Sequence, residues 1–83
     1  MALVMVENEF TPAKSAEQFM EVDEGLNGCL QARDIRWVRS YLSADGSRSV
    51  CCFEAPDAHT VRDAFRRANA PFIKIWTALE LVP

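Results

Sequence analysis

Hydrophobic and polar positions alternate with a period of two in four separate stretches of the chain, which is the pattern of a β-strand with one buried face. The second and third stretches are separated by SADGS, and its Asp45-Gly46 pair is a strong hairpin signal. These two strands are therefore expected to pair. The four predicted strands are LVMVENEF at 3–10, IRWVRSYL at 35–42, RSVCCFEA at 48–55 and FIKIWTALEL at 72–81.

Two other stretches have helical spacing. Ser15 and Gln18 form a capping-box signal, and apolar residues recur at helical intervals from there to about Arg33. Asp57 supplies an N-cap for a second helix that ends near Asn69. The acidic residues of the first helix are expected to lie on its solvated face, and they are Glu17, Glu21, Asp23 and Glu24.

The resulting order, βαββαβ, predicts an α+β fold of the ferredoxin-like type. Such a fold is a four-stranded antiparallel sheet with both helices on one face. A chain of 83 residues that is 49% hydrophobic and 25% charged describes a single domain, residues 1–83. Because so small a domain buries a limited fraction of its surface, self-association is expected to help its stability.

The net charge and the cysteine content argue against several classes of partner and site for this chain. A formal charge of −3 gives no general attraction for nucleic acid or anionic lipid. The early apolar run ALVMV is too short for a signal peptide or a membrane span, so a cytoplasmic protein is expected. Three cysteines without C-x-x-C spacing indicate neither a disulfide framework nor a zinc site. The lone histidine, His59, is expected on the surface.

A two-residue turn at Asp45-Gly46 predicts the register of the central hairpin. The cross-strand pairs that share one face are then Trp37 with Glu54, Arg39 with Cys52 and Tyr41 with Val50. The opposite face, which includes Val38 paired with Phe53, is more apolar and is expected beneath the helices.

The same alternation assigns the outer strands. It predicts six residues under the helices, namely Val4, Val6, Ile73, Ile75, Leu79 and Leu81. It leaves a charged and aromatic set on the uncovered face, namely Met5, Glu7, Glu9, Lys74, Trp76 and Glu80, together with Trp37, Arg39, Tyr41 and Glu54. A face with two tryptophans and a tyrosine is typical of an interface or a ligand groove.

Two occupants of this face are considered. A second copy of the chain would cover it in a two-fold homodimer, with Arg39 paired to Glu54 or Glu7. Alternatively a small ligand occupies a cleft there, because burying so many charges is costly unless all are paired. Arg39 would then bind an anionic or carbonyl group, the aromatic rings would stack on the ligand, and Glu7 or Glu54 would act as base or anchor. The candidate ligand-binding residues are Glu7, Trp37, Arg39, Tyr41, Glu54 and Trp76.

Two functions of other classes remain open. One is a small enzyme resembling dimeric α+β-barrel isomerases or cofactor-free oxygenases, which predicts a titratable group with a perturbed pKa in an enclosed pocket. The other is a structural or regulatory interaction module, which predicts a fully packed dimer face. The identity of any ligand or cofactor is left open by the sequence.

The segments VENEF, VRSYLSADG and CFEAPDAHTVRDAFRRA resemble a family of small bacterial nickel-binding-protein-like proteins. The resemblance covers nearly the whole chain and implies a ferredoxin-like fold and a dimer. Where nickel-binding relatives carry histidines, the resemblance aligns Glu7, Arg39, Phe65 and Ala70. Of these only Glu7 is a possible metal ligand, and nickel in such sites favours imidazole nitrogen. The resemblance thus implies a member that does not use nickel.

Overall fold

The computed structural model describes residues 1–83 and contains four strands and two helices. Its elements are β1 (Ala2–Glu9), α1 (Ala16–Gln31), β2 (Arg36–Leu42), β3 (Arg48–Ala55), α2 (Ala58–Arg67) and β4 (Lys74–Ala78). The strands form one antiparallel sheet in the order β2-β3-β1-β4, and both helices pack on the same face. The predicted ferredoxin-like α+β fold is confirmed. Neither helix has the length and apolar character needed to cross a membrane.

Both helices begin at the predicted caps. The Ser15 hydroxyl accepts a hydrogen bond from the Gln18 N–H at 3.1 Å, and the Gln18 side chain accepts one from the Ser15 N–H at 2.9 Å. This reciprocal pair satisfies two backbone donors that the first turn leaves free. At α2, the Asp57 carboxylate accepts from the Thr60 N–H at 2.7 Å. The caps are local interactions, and the sequence pattern predicted them correctly.

The core lies between the sheet and the helices. Its aromatic centre is Phe65 of α2, whose ring meets Phe53 of β3 edge to face at 5.8 Å and Phe72 at 6.2 Å. Edge-to-face pairs place the positive edge of one ring against the negative face of the other. The largest fully buried side chains around this centre are Leu30, Ile35, Val4, Val6 and Val61.

The central hairpin has the predicted register at its tip and a different one at its base. Tyr41 pairs with Val50 and Arg39 with Cys52, as expected, but Val38 forms a β-bulge. Beyond the bulge Trp37 pairs with Phe53, and Arg36 pairs with Glu54. The prediction that Trp37 lies on the uncovered face is therefore wrong, because the extra residue turns it toward the helices. There its indole donates to the Ser40 hydroxyl at 2.7 Å.

The end of β4 also departs from the prediction. Leu79 and Leu81 are each 87% exposed instead of buried under the helices, and Ile73 is 52% exposed. The cause is the length of the pairing, since β4 pairs with β1 only from Lys74 to Ala78. Beyond Ala78 the chain is not held in the alternation of the sheet, so the period-two pattern no longer determines which side Leu79 and Leu81 take.

Candidate functional site on the open sheet face

The sheet face opposite the helices, called the open face below, carries the candidate residues. It includes Leu3, Met5 and Glu7 of β1, Arg36, Arg39 and Tyr41 of β2, Val50, Cys52 and Glu54 of β3, and Lys74 and Trp76 of β4. These residues alternate with the buried set along each strand, which is why the sheet brings them together.

A depression of about 560 Å³ lies in this face. Four of the six candidate residues line it, namely Arg39, Tyr41, Glu54 and Trp76. Glu7 stands beside it, because its carboxylate accepts a hydrogen bond from the Trp76 indole at 2.7 Å. Trp37 lies on the other side of the sheet and does not line the depression. The chain that follows β4 forms one wall, so Leu79 and Leu81 face the depression.

The two arginines of the open face differ in their partners. Within one copy of the chain, Arg36 forms an ion pair with Glu54, and the pairing of Arg39 with Glu54 or Glu7 that is expected in a dimer stays a prediction. Arg39 has no carboxylate within ion-pair distance, and neither of its expected partners, Glu54 or Glu7, reaches it. The neighbouring Tyr41 hydroxyl raises the pKa of the Arg39 guanidinium, and Glu80 adds to this effect, so the charge is permanent. An unpaired guanidinium beside aromatic rings is suited to a carboxylate or carbonyl oxygen.

Cys52 lies directly opposite Arg39 and is 7% exposed. Burial raises the pKa of its thiol, although Arg39 acts in the opposite direction. The reactive form of cysteine is the thiolate, so a thiol that stays protonated is a poor nucleophile. Cys52 therefore contributes a small apolar surface to the floor of the depression.

The donor set for a metal ion is incomplete. No group of three or more His, Cys, Asp and Glu side chains is arranged so that it could hold a metal. Phe65, which the family resemblance aligns with a histidine, is 4% exposed and belongs to the aromatic centre of the core. Arg39 is cationic, and Glu7 is engaged by Trp76. These residues do not fit nickel, which favours imidazole ligands.

Leu3 and Ala78 line the depression as the strand alternation implies, but four other lining residues depart from that alternation, namely Arg36, Val38, Leu79 and Leu81. Of these four, the first two reach it because of the bulge, and the last two because β4 ends early. Neither feature has a local signal in the sequence. A bulge needs no glycine, and the exit of the chain from the sheet depends on tertiary packing.

Comparison with known proteins bears on this arrangement. Residues 5–77 match the model of a family described as nickel responsive protein SCO4226-like. The fold is similar to the crystal structure of SCO4226 from Streptomyces coelicolor A3(2), with a TM-score of 0.84 over 98% of this chain and 100% of that one. The sequence identity is 14%, so this likeness concerns the fold. No curated protein matches the chain.

Proposed function

This chain belongs to the family of SCO4226-like nickel responsive proteins, and we propose that it functions as a homodimer that binds a small organic anion or carbonyl compound instead of nickel. The open face is both the dimer interface and the wall of the ligand site. The observation that carries the proposal is Arg39, a permanent cation without a carboxylate partner in a depression between Tyr41 and Trp76.

Exposed apolar area supports self-association. Trp76 is 43% exposed and Tyr41 is 61% exposed, and Leu79 and Leu81 stand beside them. Contiguous apolar surface of this kind on a small soluble domain usually marks an interaction site. In a sheet-to-sheet dimer it would be withdrawn from water, at about 25 cal/mol for each Å².

Charge supports a second copy of the same chain as the partner. In a two-fold dimer a surface meets itself, so its cations and anions must balance. The open face meets this condition with four of each sign, namely Arg36, Arg39, Arg48 and Lys74 against Glu7, Glu9, Glu54 and Glu80.

A dimer without a ligand would bury the Arg39 guanidinium without a carboxylate partner, which is energetically unfavourable. An unpaired charge that is withdrawn from water costs several kcal/mol. A ligand oxygen on the guanidinium would remove this cost, and the depression of about 560 Å³ falls within the size range of small-molecule sites. The aromatic rings of Tyr41 and Trp76 would pack against the body of the ligand. A planar carboxylate matches the two-pronged donor geometry of arginine.

The test is native mass spectrometry on tag-free protein that is purified without a nickel column. We expect the mass of a dimer plus a small organic adduct. Arg39→Leu should keep the dimer and lose the adduct. Arg67→Leu, on the helix side of the molecule, should keep both, because Arg67 forms only an exposed pair with Asp63. Trp76→Glu should give a monomer.

Three results would contradict the proposal. Retention of the adduct by Arg39→Leu would remove Arg39 from the site. A wild-type monomer at micromolar concentration would remove the interface. A wild-type dimer that carries no adduct, and to which no small carboxylate or carbonyl compound from a screened set binds, would leave an interaction module without a ligand.

A further inference from the structure

A second cavity lies on the opposite side of the sheet, between α1, β3 and the connection from β1 to α1. It has a volume of about 560 Å³ and is called the inner cavity below. Its walls are mostly apolar, and the large side chains that line it are Phe10, Phe19, Leu26, Phe53 and Phe65. It shares no residue with the depression on the open face. The sheet separates the two.

Two hydrogen-bond acceptors lie near one another, one in the wall of this cavity and one in a small pocket beside it. The Asp23 carboxylate is 3.9 Å from the Cys51 sulfur, and burial raises the pKa of Asp23. One turn along α1, the side-chain oxygen of Asn27 is buried and accepts no hydrogen bond from the protein. A small adjoining pocket of about 10 Å³ joins the two residues and is also lined by Trp37. A buried acceptor without a donor, such as the Asn27 oxygen, is uncommon in proteins and favours a donor from a ligand or water.

The charges around the inner cavity favour a cation. Two carboxylates of α1 line it, those of Glu21 and Asp23, against a single ammonium, that of Lys14. The Lys14 ammonium lies over the Phe10 ring, 5.1 Å from the ring centroid. The surplus of negative charge in a cleft with apolar walls attracts positively charged ligands.

The groups present are suited to binding and not to catalysis. Burial raises the pKa of the Cys51 thiol to about 11, so the thiol is protonated at neutral pH and is not a nucleophile. No histidine lines the cavity.

We propose that the inner cavity binds a small primary amine with an aromatic body. The ring packs among the phenylalanines, and the ammonium donates hydrogen bonds to the Asp23 carboxylate and the Asn27 carbonyl. An ammonium has three donors and no acceptor, which matches the two acceptor groups of Asp23 and Asn27. This proposal does not depend on the function proposed for the open face.

The two tryptophans provide separate reporters, because their indole N–H groups lie on opposite sides of the sheet. Trp37 lines the pocket between Asp23 and Asn27, and Trp76 lines the depression on the open face. Titration of ¹⁵N-labelled protein with 2-phenylethylamine hydrochloride is expected to shift the Trp37 indole signal and the amides of α1 and β3. The Trp76 indole signal is expected to stay in place. The anionic analogue 3-phenylpropanoate should not shift Trp37.

Variants test the roles of the charges. Asp23→Asn should lower the affinity for the amine at least about tenfold, because a hydrogen bond to a charged group is lost. The matched control Asp34→Asn should bind as the wild type does. Asp34 is outside the cavity and has a φ of 60°, a conformation that asparagine tolerates. Lys14→Gln should tighten amine binding severalfold, since it removes the competing cation.

Several results would overturn the inference. They are the absence of a saturable shift at millimolar amine, equal affinity for 3-phenylpropanoate, equal affinity in Asp23→Asn, and shifts confined to Trp76. The last result would assign the amine to the open face. It would also contradict the selectivity for anions that is proposed for the open face. The proposals for the two sites are therefore overturned by different observations.

Discussion

Glu7 and Trp76, 69 positions apart in the sequence, are joined on the open face by a hydrogen bond of 2.7 Å from the indole nitrogen to the carboxylate. The bond runs diagonally across β1 and β4, because the direct partner of Trp76 is Met5 and that of Glu7 is Lys74. It occupies the one side chain that the family resemblance leaves as a possible metal ligand. Glu7 thus fixes the orientation of an aromatic wall of the proposed ligand site.

We expect Glu7→Leu to release the Trp76 indole without unfolding the domain. The bond is solvent-exposed, so its loss should change the free energy of unfolding by less than about 1 kcal/mol. In the ¹⁵N spectrum the Trp76 indole signal should move and its hydrogen exchange should accelerate. Glu7→Gln keeps an acceptor and should restore most of the wild-type signal.

The control for this experiment is the second tryptophan. Ser40→Ala removes the acceptor of Trp37 and should move only the Trp37 signal. A Trp76 signal that is unchanged in Glu7→Leu would show that the two side chains are not bonded in solution.

The sequence predicted those parts of the fold that depend on local interactions. The caps at Ser15 and Asp57 each act over three residues, and both helices begin where these residues indicate. The tip of the hairpin also has the expected register, although its loop is longer than two residues. Ser43 N–H donates to the Arg48 carbonyl, and Gly46 is the only residue of the loop with a positive φ.

What the sequence did not predict depends on contacts between distant segments. The bulge at Val38 moved Trp37 off the open face, and no residue type near it signals an extra residue. Asp23 was expected to be solvated with the rest of the acidic run of α1. It is partly buried because the connection from β1 to α1 folds over this part of the helix and forms the inner cavity. That cavity is a property of packing and has no motif.

Gly46 connects the hairpin to the rest of the domain, and we expect Gly46→Ala to be strongly destabilising. Its φ is 76°, and an added Cβ would lie 2.1 Å from the carbonyl oxygen of Lys14. The backbone conformation alone costs about 1–3 kcal/mol for other residues, and the clash adds to this. Urea denaturation measures the change.

Gly28 provides the opposite case. It lies inside α1, and an added Cβ would meet nothing within 4 Å. Gly28→Ala should stabilise the protein by about 0.5–1 kcal/mol, since alanine restricts the unfolded chain and favours helix. Equal effects of the two substitutions would refute the packing of the hairpin on the β1–α1 connection.

Nickel offers a direct test of the incomplete donor set. Isothermal titration of tag-free protein with NiCl₂ is expected to show no stoichiometric micromolar site, because no three ligand side chains converge. Glu7→Gln should give the same titration as the wild type. Stoichiometric binding that disappears in Glu7→Gln would show that Glu7 leaves Trp76 to hold the ion, and the ligand proposed for the open face would have to be reconsidered.

Asp45 is expected to make the hairpin sensitive to acid. Its carboxylate oxygen accepts hydrogen bonds from the Ser47 hydroxyl at 2.7 Å, the Ser47 N–H at 3.0 Å and the Ser43 hydroxyl at 2.8 Å. These bonds, with those to Ser47 first, lower the pKa of Asp45 from 3.8 to about 2. A lowered pKa means that the stabilisation is complete above pH 3.8 and is lost as the pH falls toward 2.

The comparison is between wild type and Asp45→Asn in thermal melts from pH 6 to pH 2. Asparagine keeps one acceptor and does not titrate. The wild type should be the more stable protein at pH 6, and this advantage should shrink as the pH falls below 3.8. A difference that stays constant over the whole range would show that the Asp45 charge contributes nothing to the turn.

Asp23 should show the opposite dependence. Burial raises its pKa above 3.8, so between 3.8 and the raised value the folded protein binds more protons than the unfolded chain does. Stability is therefore lost as the pH rises through this window, and the penalty persists at neutral pH. Asp23→Asn lacks the charge, so it should melt at a higher temperature than the wild type at pH 7, and the gap should close below pH 3.8.

The two proteins should then respond differently to a ligand. Saturating 2-phenylethylamine at pH 7 should raise the melting temperature of the wild type, because a ligand that binds only the folded state stabilises it. The amine should change the melting temperature of Asp23→Asn little. If the variant is no more stable than the wild type at pH 7, the carboxylate is well solvated in solution. If in addition the amine stabilises both proteins equally, the Asp23 carboxylate is not the group that binds the ammonium.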